Sequence, residues 1–97
     1  MAHLVVSYPK HAGATFDAAY YRDTHIPLVE EAWGDCGLTA ADILWPADEG
    51  QPNAAMVVLT FRDSAAIDAA MASPRTPEVL GDVANFTNIQ PSLYRTA

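Results

Sequence analysis

The chain has 97 residues, 51% of them hydrophobic, and a net charge of −7. That composition supports one folded domain near the lower size limit of a self-sufficient core, and it argues against disorder. Five Lys and Arg against twelve Asp and Glu leave no phosphate-binding surface, so nucleic acid and anionic membranes are not expected partners. No apolar run approaches the roughly eighteen residues needed to span a bilayer. Met1-Ala2-His3-Leu4 lacks the basic start and long apolar core of a signal peptide. A cytoplasmic location is expected, and the lone Cys36, with no partner for an internal disulfide, fits a reducing compartment.

In chain order, His3 to Tyr8 reads as a short strand of branched and aromatic residues ended by Pro9. A loop with Lys10, His11 and Gly13 leads to a helix beginning near Phe16, with Thr15 as a plausible cap and Asp17 in its first turn. Phe16, Tyr20, Thr24, Leu28 and Ala32 recur every four residues, with Val29 and Trp33 alongside, and Gly34 is a natural stop. Within this helix lies Tyr20-Tyr21-Arg22-Asp23-Thr24-His25-Ile26-Pro27-Leu28. Pro27 removes a backbone donor, clashes with the Asp23 carbonyl and pushes Ile26 away from helical geometry. The helix is expected to kink or loosen within a turn of His25, with the freed carbonyl satisfied by the imidazole, Thr24 or water.

A second strand is expected over Leu38 to Trp45, a polar loop over Ala47 to Asn53, and the clearest strand over Ala54 to Arg62. A helix from Ser64 to Ala72, capped by Asp63 or Ser64, turns Ile67, Ala70 and Met71 to the core. Thr76-Pro77-Glu78 restarts a short helix with Thr76 as its cap, a proline at the first helical position and an early acid, and Asn85 to Tyr94 supplies the last strand, held at an edge by Pro91. No repeat or linker interrupts residues 1–97, which read as a single domain.

The order β-α-β-β-α-β is that of a ferredoxin-like α+β protomer: an antiparallel four-stranded sheet, first and third strands central, helices on one face. Yet the third strand is apolar on both sides, with Ala55, Val57, Leu59 and Phe61 opposite Met56 and Val58. The first offers Leu4, Val6 and Tyr8 opposite His3, Val5 and Ser7. A sheet face left uncovered on so small a monomer is an association surface, and a face-to-face homodimer is the simplest cover.

Phe16-Asp17-Ala18-Ala19-Tyr20-Tyr21, Thr24-His25-Ile26-Pro27-Leu28 and Asn85-Phe86-Thr87-Asn88-Ile89-Gln90-Pro91 occur in an order and spacing that resembles the EthD family. That family is named for ethyl tert-butyl ether degradation and falls within the dimeric α+β barrel superfamily. The Ser7-Tyr8-Pro9 start and the Gly50-Gln51-Pro52 loop also match. The resemblance implies a barrel-like dimer and a role around oxidative degradation of small compounds, with the family histidine at His25. Related proteins include cyclases, decarboxylases, dehalogenases and cofactor-free monooxygenases.

His25, whose ordinary pKa of about 6.5 lies near neutrality, is the candidate general acid or base. Burial would lower its pKa and Asp23 would raise it, with burial expected to win. Tyr21, one helical turn earlier, is a candidate to orient that ring or bind a substrate. His3 and Ser7 share a strand face and are candidate substrate contacts, His3 facing His25 across a pocket, against the plainer reading of an exposed histidine near a chain end. Phe86 and Asn88 are further candidates, against the plainer readings of core packing and edge-strand satisfaction. His3, His11 and His25 show no metal-ligand spacing, and no glycine-rich phosphate loop supports a nucleotide or flavin, so no metal or cofactor is expected. Three readings remain open: an enzyme or accessory protein acting on small apolar or aromatic compounds, a non-catalytic carrier with the same pocket, and a structural dimer whose pocket is vestigial.

Overall fold

A computed structural model describes residues 1–97. The elements are β1 (Ala2–Pro9), α1 (Ala18–Tyr20), a π-helical turn (Tyr21–His25) and α2 (Ile26–Gly34). They continue as β2 (Leu38–Leu44), β3 (Asn53–Phe61), α3 (Ser64–Met71), α4 (Thr76–Asp82), a 3₁₀ turn (Val83–Asn85) and β4 (Ser92–Arg95). The four strands form one antiparallel sheet in the order β2-β3-β1-β4, with the helices on one face. This is the ferredoxin-like arrangement, with β1 and β3 central and β4 at an edge.

Strand alternation decides which residues make the core. Leu4 and Tyr8 of β1 and Ala55, Val57, Leu59 and Phe61 of β3 are buried beneath the helices. Val5 lies across from Val58, and Val58 from Asp42, on the opposite face. That face has no covering layer within the chain, and Leu44 and Tyr94 at its margins are 49% and 69% exposed.

The helical layer is tied down by its caps and one shared hydroxyl. Asp17 accepts from the Tyr20 amide and Asp63 from the Ala66 amide, at 3.1 and 2.8 Å, satisfying donors that each helix start leaves free. Asp17, not Thr15, therefore caps the first helix. Thr76 does not cap α4; its hydroxyl donates to the Ala70 carbonyl and accepts from Trp33 Nε1 at 3.0 Å. One buried residue thus joins α2, α3 and α4.

Two expectations are corrected. Of the expected kink or loosening the helix shows the loosening, but Ile26 is not pushed from helical geometry: it keeps φ −65° and ψ −42°, and its amide bonds the Tyr21 carbonyl five residues back. The turn before the proline widens to the π register, which accommodates the ring, and Pro27 falls in the first turn of α2. The extra residue also shifts the buried stripe from Tyr20 and Thr24 to Tyr21, His25, Val29 and Trp33. The last strand is likewise shorter than Asn85 to Tyr94, because the side chains before Pro91 bond the distant Gly13–Thr15 loop. Thr87 donates to the Thr15 carbonyl, and Asn88 spans the Thr15 amide and the Gly13 carbonyl.

Gly37 links α2 to β2 at φ +107°, and a Cβ there would meet the Ala66 Cβ at 2.8 Å. Gly37→Ala is therefore expected to cost about 1–3 kcal/mol, from strain plus displacement of α3. A urea titration checks it; an unchanged midpoint would mean that the loop moves freely.

Candidate active site

The π turn and the end of α4 bring two titratable groups together under the sheet. His25 Nδ1 lies 2.9 Å from Asp82 Oδ2, with His25 only 4% exposed. The other Asp82 oxygen, Oδ1, accepts from the Tyr20 hydroxyl at 2.7 Å and from Asn85 Nδ2 at 3.0 Å. An ionised carboxylate only accepts, so the proton of a neutral imidazole belongs on Nδ1 and Nε2 keeps its lone pair.

Burial pushes the His25 pKa down, and the Asp82 hydrogen bond and charge pull it back only in part, leaving it below the ordinary histidine value. For Asp82, burial acts upward, but hydrogen bonds from Asn85, Tyr20 and His25 together hold it below the ordinary aspartate value. The resting pair is therefore a neutral imidazole against a carboxylate, the form in which Nε2 can accept a proton.

Aromatic rings fix the imidazole in place. Tyr21 stacks on it at 5.6 Å between centroids with 19° between planes, and Phe86 lies 4.6 Å away. Tyr8 meets Tyr21 edge to face at 5.5 Å. Burial pushes the Tyr8 phenol up to about 12 and the Tyr21 phenol higher still. The two phenols are near enough to influence each other's ionisation, yet no hydrogen bond of proper geometry joins them. The Tyr21 hydroxyl is buried without a partner.

Beside this cluster is a cavity of about 120 Å³ between sheet and helices, lined by Tyr8, Tyr21 and His25 with apolar groups such as Leu4, Val29 and Leu59. A larger depression of about 410 Å³ near Thr15, Asp17 and Asn88 lies open to solvent and holds no buried titratable pair, so volume alone does not mark the site. No three His, Cys, Asp or Glu side chains lie close enough together to hold a metal ion.

Of the residues singled out in the sequence, the structure brings His25, Tyr21 and Phe86 together. His3 and Ser7 are not with them. Strand pleating turns both to the uncovered face, opposite Leu4 and Tyr8, so His3 does not look across the cavity at His25. Asn88 is exposed and spends its amide on the Gly13–Thr15 loop. The imidazole does not serve the Asp23 carbonyl either, because its Nδ1 is committed to Asp82.

Asp82 and Tyr20 escaped the sequence reading. One local signal was present: Asp82 ends α4, where a negative charge opposes the helix dipole and calls for a compensating partner.

Residues 10–90 match the EthD domain. An EthD-like protein from Ralstonia eutropha JMP134 is 34% identical, covering 98% of this chain and 88% of its own, with a TM-score of 0.80. A dimeric ferredoxin-like protein of unknown function from Jannaschia sp. CCS1 is 22% identical, covering 99% and 96%, with a TM-score of 0.66. SnoaB, a cofactor-independent oxygenase from Streptomyces nogalater, is 14% identical, covering 99% and 91%, also at 0.66. The last two likenesses show the fold alone. No curated protein matches the chain. The domain match over residues 10–90 and the near full-length Ralstonia relative agree with the resemblance seen in the histidine motif, and the chain belongs to the EthD family.

Proposed function

We propose that this protein binds a small apolar or aromatic compound in the cavity and uses His25 as the acid/base in its oxidative degradation. The observation that carries the reading is the buried His25–Asp82 pair at 2.9 Å beside an apolar cavity. Nε2 of His25 would remove a proton from an activated O–H or C–H of the ligand. Asp82 positions the ring and stabilises the imidazolium that forms, and Tyr20 and Asn85 hold Asp82. Tyr21 and Phe86 supply the walls of the imidazole's setting. Dioxygen, the co-substrate that SnoaB's description as a cofactor-independent oxygenase suggests, would accept the electrons of the deprotonated ligand. No cofactor or metal enters this scheme.

The same proposal includes a homodimer formed through the open sheet face. Its support is the apolar content of that face, with Val5, Met56 and Val58 at its centre, and the dimeric state given for the Jannaschia protein of the same fold.

The test is turnover of small aromatic and alicyclic compounds under dioxygen, followed by mass spectrometry. His25→Gln keeps a donor toward Asp82 but removes the base, so turnover should fall about 10²–10⁴-fold, far more than affinity does. Binding without turnover in the native protein would instead establish the carrier reading.

A further inference from the structure

We infer that the cavity beside His25 is shaped for a single-ring phenol, its hydroxyl held between the Tyr21 hydroxyl and Nε2 of His25. This rests on the reading of that cavity as the ligand site, and adds the size and chemistry of the ligand.

Size comes first. A dry cavity of about 150 Å³ accepts one benzene ring. The present one, at about 120 Å³, is slightly smaller, so a single ring is the largest group it can take and fused polycycles are excluded unless the helices part. Its rim includes Met71, Leu80 and Leu93, which are 39%, 59% and 58% exposed, so entry is apolar as well. A ligand that fills so small a space must touch most of the groups lining it.

Polarity narrows the class. Thr76 borders the cavity, but its hydroxyl is consumed by Ala70 and Trp33. His25 Nδ1 is consumed by Asp82. Three polar groups remain among the lining residues: the Tyr8 hydroxyl, the Tyr21 hydroxyl, which is buried without a partner, and His25 Nε2. A buried hydroxyl without a partner is a standing cost that a ligand oxygen relieves. Tyr21 stays protonated and offers a donor; Nε2 of the neutral imidazole offers an acceptor. A hydroxyl answers both, accepting from Tyr21 and donating to Nε2. A carbonyl or ether oxygen answers the phenols but leaves Nε2 without a donor, and a carboxylate would bring a bare charge into an apolar cavity near Asp82. The edge-to-face rings of Tyr8 and Tyr21 favour an aromatic over an aliphatic carrier for that hydroxyl.

Isothermal titration of the full chain with phenol, anisole, benzene and 1-naphthol tests the inference. Phenol should bind about tenfold more tightly than benzene, anisole should fall between them, and 1-naphthol should bind at least about tenfold more weakly than phenol. Tyr21→Phe keeps the ring and removes the hydroxyl, so phenol should drop toward benzene while benzene itself stays within about twofold. Equal binding of phenol and benzene would overturn the hydroxyl assignment and leave the cavity standing as a ligand site. Equal binding of 1-naphthol and phenol would overturn the single-ring limit. If none of the four binds, the ligand-site reading falls together with the inference. Should Tyr21→Phe fail to fold, the ligand series on the native protein decides alone.

Discussion

Val58→Asp should yield a folded monomer, whereas Val57→Asp should abolish the cooperative thermal transition. The two residues are chain neighbours on opposite sides of β3. Val57 is 2% exposed and packed beneath the helices, so a carboxylate there has no partner and no water. Removing one member of a buried charge pair costs about 3–5 kcal/mol, and an unpaired charge placed in an apolar core is at least as costly. Whole domains are stable by only about 5–15 kcal/mol, so a small chain near the lower limit should not survive it. Val58 lies on the open face, between Val5 and Asp42 of the neighbouring strands. Within a monomer the new carboxylate stays solvated. Its worst contact is Asp42 directly opposite, a like-charge pairing worth up to about 1 kcal/mol. In a dimer joined through this face, two such carboxylates are buried, one from each copy. Even about 2 kcal/mol each would raise the dissociation constant roughly a thousandfold. Sedimentation equilibrium at micromolar concentration, with circular dichroism to confirm folding, reads both outcomes. A native protein that sediments as a monomer, or a Val58→Asp protein that remains a dimer, would rule out this interface.

The parts of the fold that follow from local periodicity were legible in the chain. β3 shows its two apolar faces directly, Pro91 marks the edge strand, and Asp63 is the one of the two cap candidates, Asp63 and Ser64, that caps α3. Local rules failed where a distant contact or a change of register decided the outcome. A proline in a helix permits a kink, a break or a widened turn. Which one occurs depends on whether Tyr21 and His25 can both reach the core, and the four-residue repeat starting at Phe16 concealed that choice. Asn85, Thr87 and Asn88 resemble strand residues in a string of letters. Their side chains instead hold the Gly13–Thr15 loop and Asp82, leaving the ladder to Ser92–Arg95. His25 was legible as a site because imidazole next to Pro27 is unusual. Asp82 was not, because it reaches His25 across 57 residues of sequence and only the packing of α4 on α2 reveals the pair.

That pair sets up the second large effect. In Asp82→Asn the amide has one acceptor and one donor end, and the surroundings determine their orientation. Two donors, the Tyr20 hydroxyl and Asn85 Nδ2, converge on Oδ1, so the amide oxygen belongs there. The amide NH₂ then faces His25 Nδ1, which must become an acceptor, and the imidazole proton moves to Nε2. The free base is lost with the ring hardly displaced. Turnover should fall about 10²–10⁴-fold, as for loss of His25 itself. A long-range nitrogen–proton NMR correlation should show the proton on Nδ1 in the native protein and on Nε2 in the variant. Stability should respond in a linked way. His25 titrates below its ordinary value of 6.5 when folded, so the unfolded chain binds its proton first on acidification. The stability tied to the neutral ring is full above pH 6.5 and is lost as the pH falls from there through the folded pKa. Asp82 is what pulls that folded pKa upward, so Asp82→Asn should lower it further and widen the window over which stability is lost. Urea midpoints at pH 7 and pH 5 should therefore drop more for the variant than for the native protein; both values lie above the range in which Asp82 itself titrates. A smaller drop in the variant, or an unchanged tautomer, would show that Asp82 does not govern the protonation of His25.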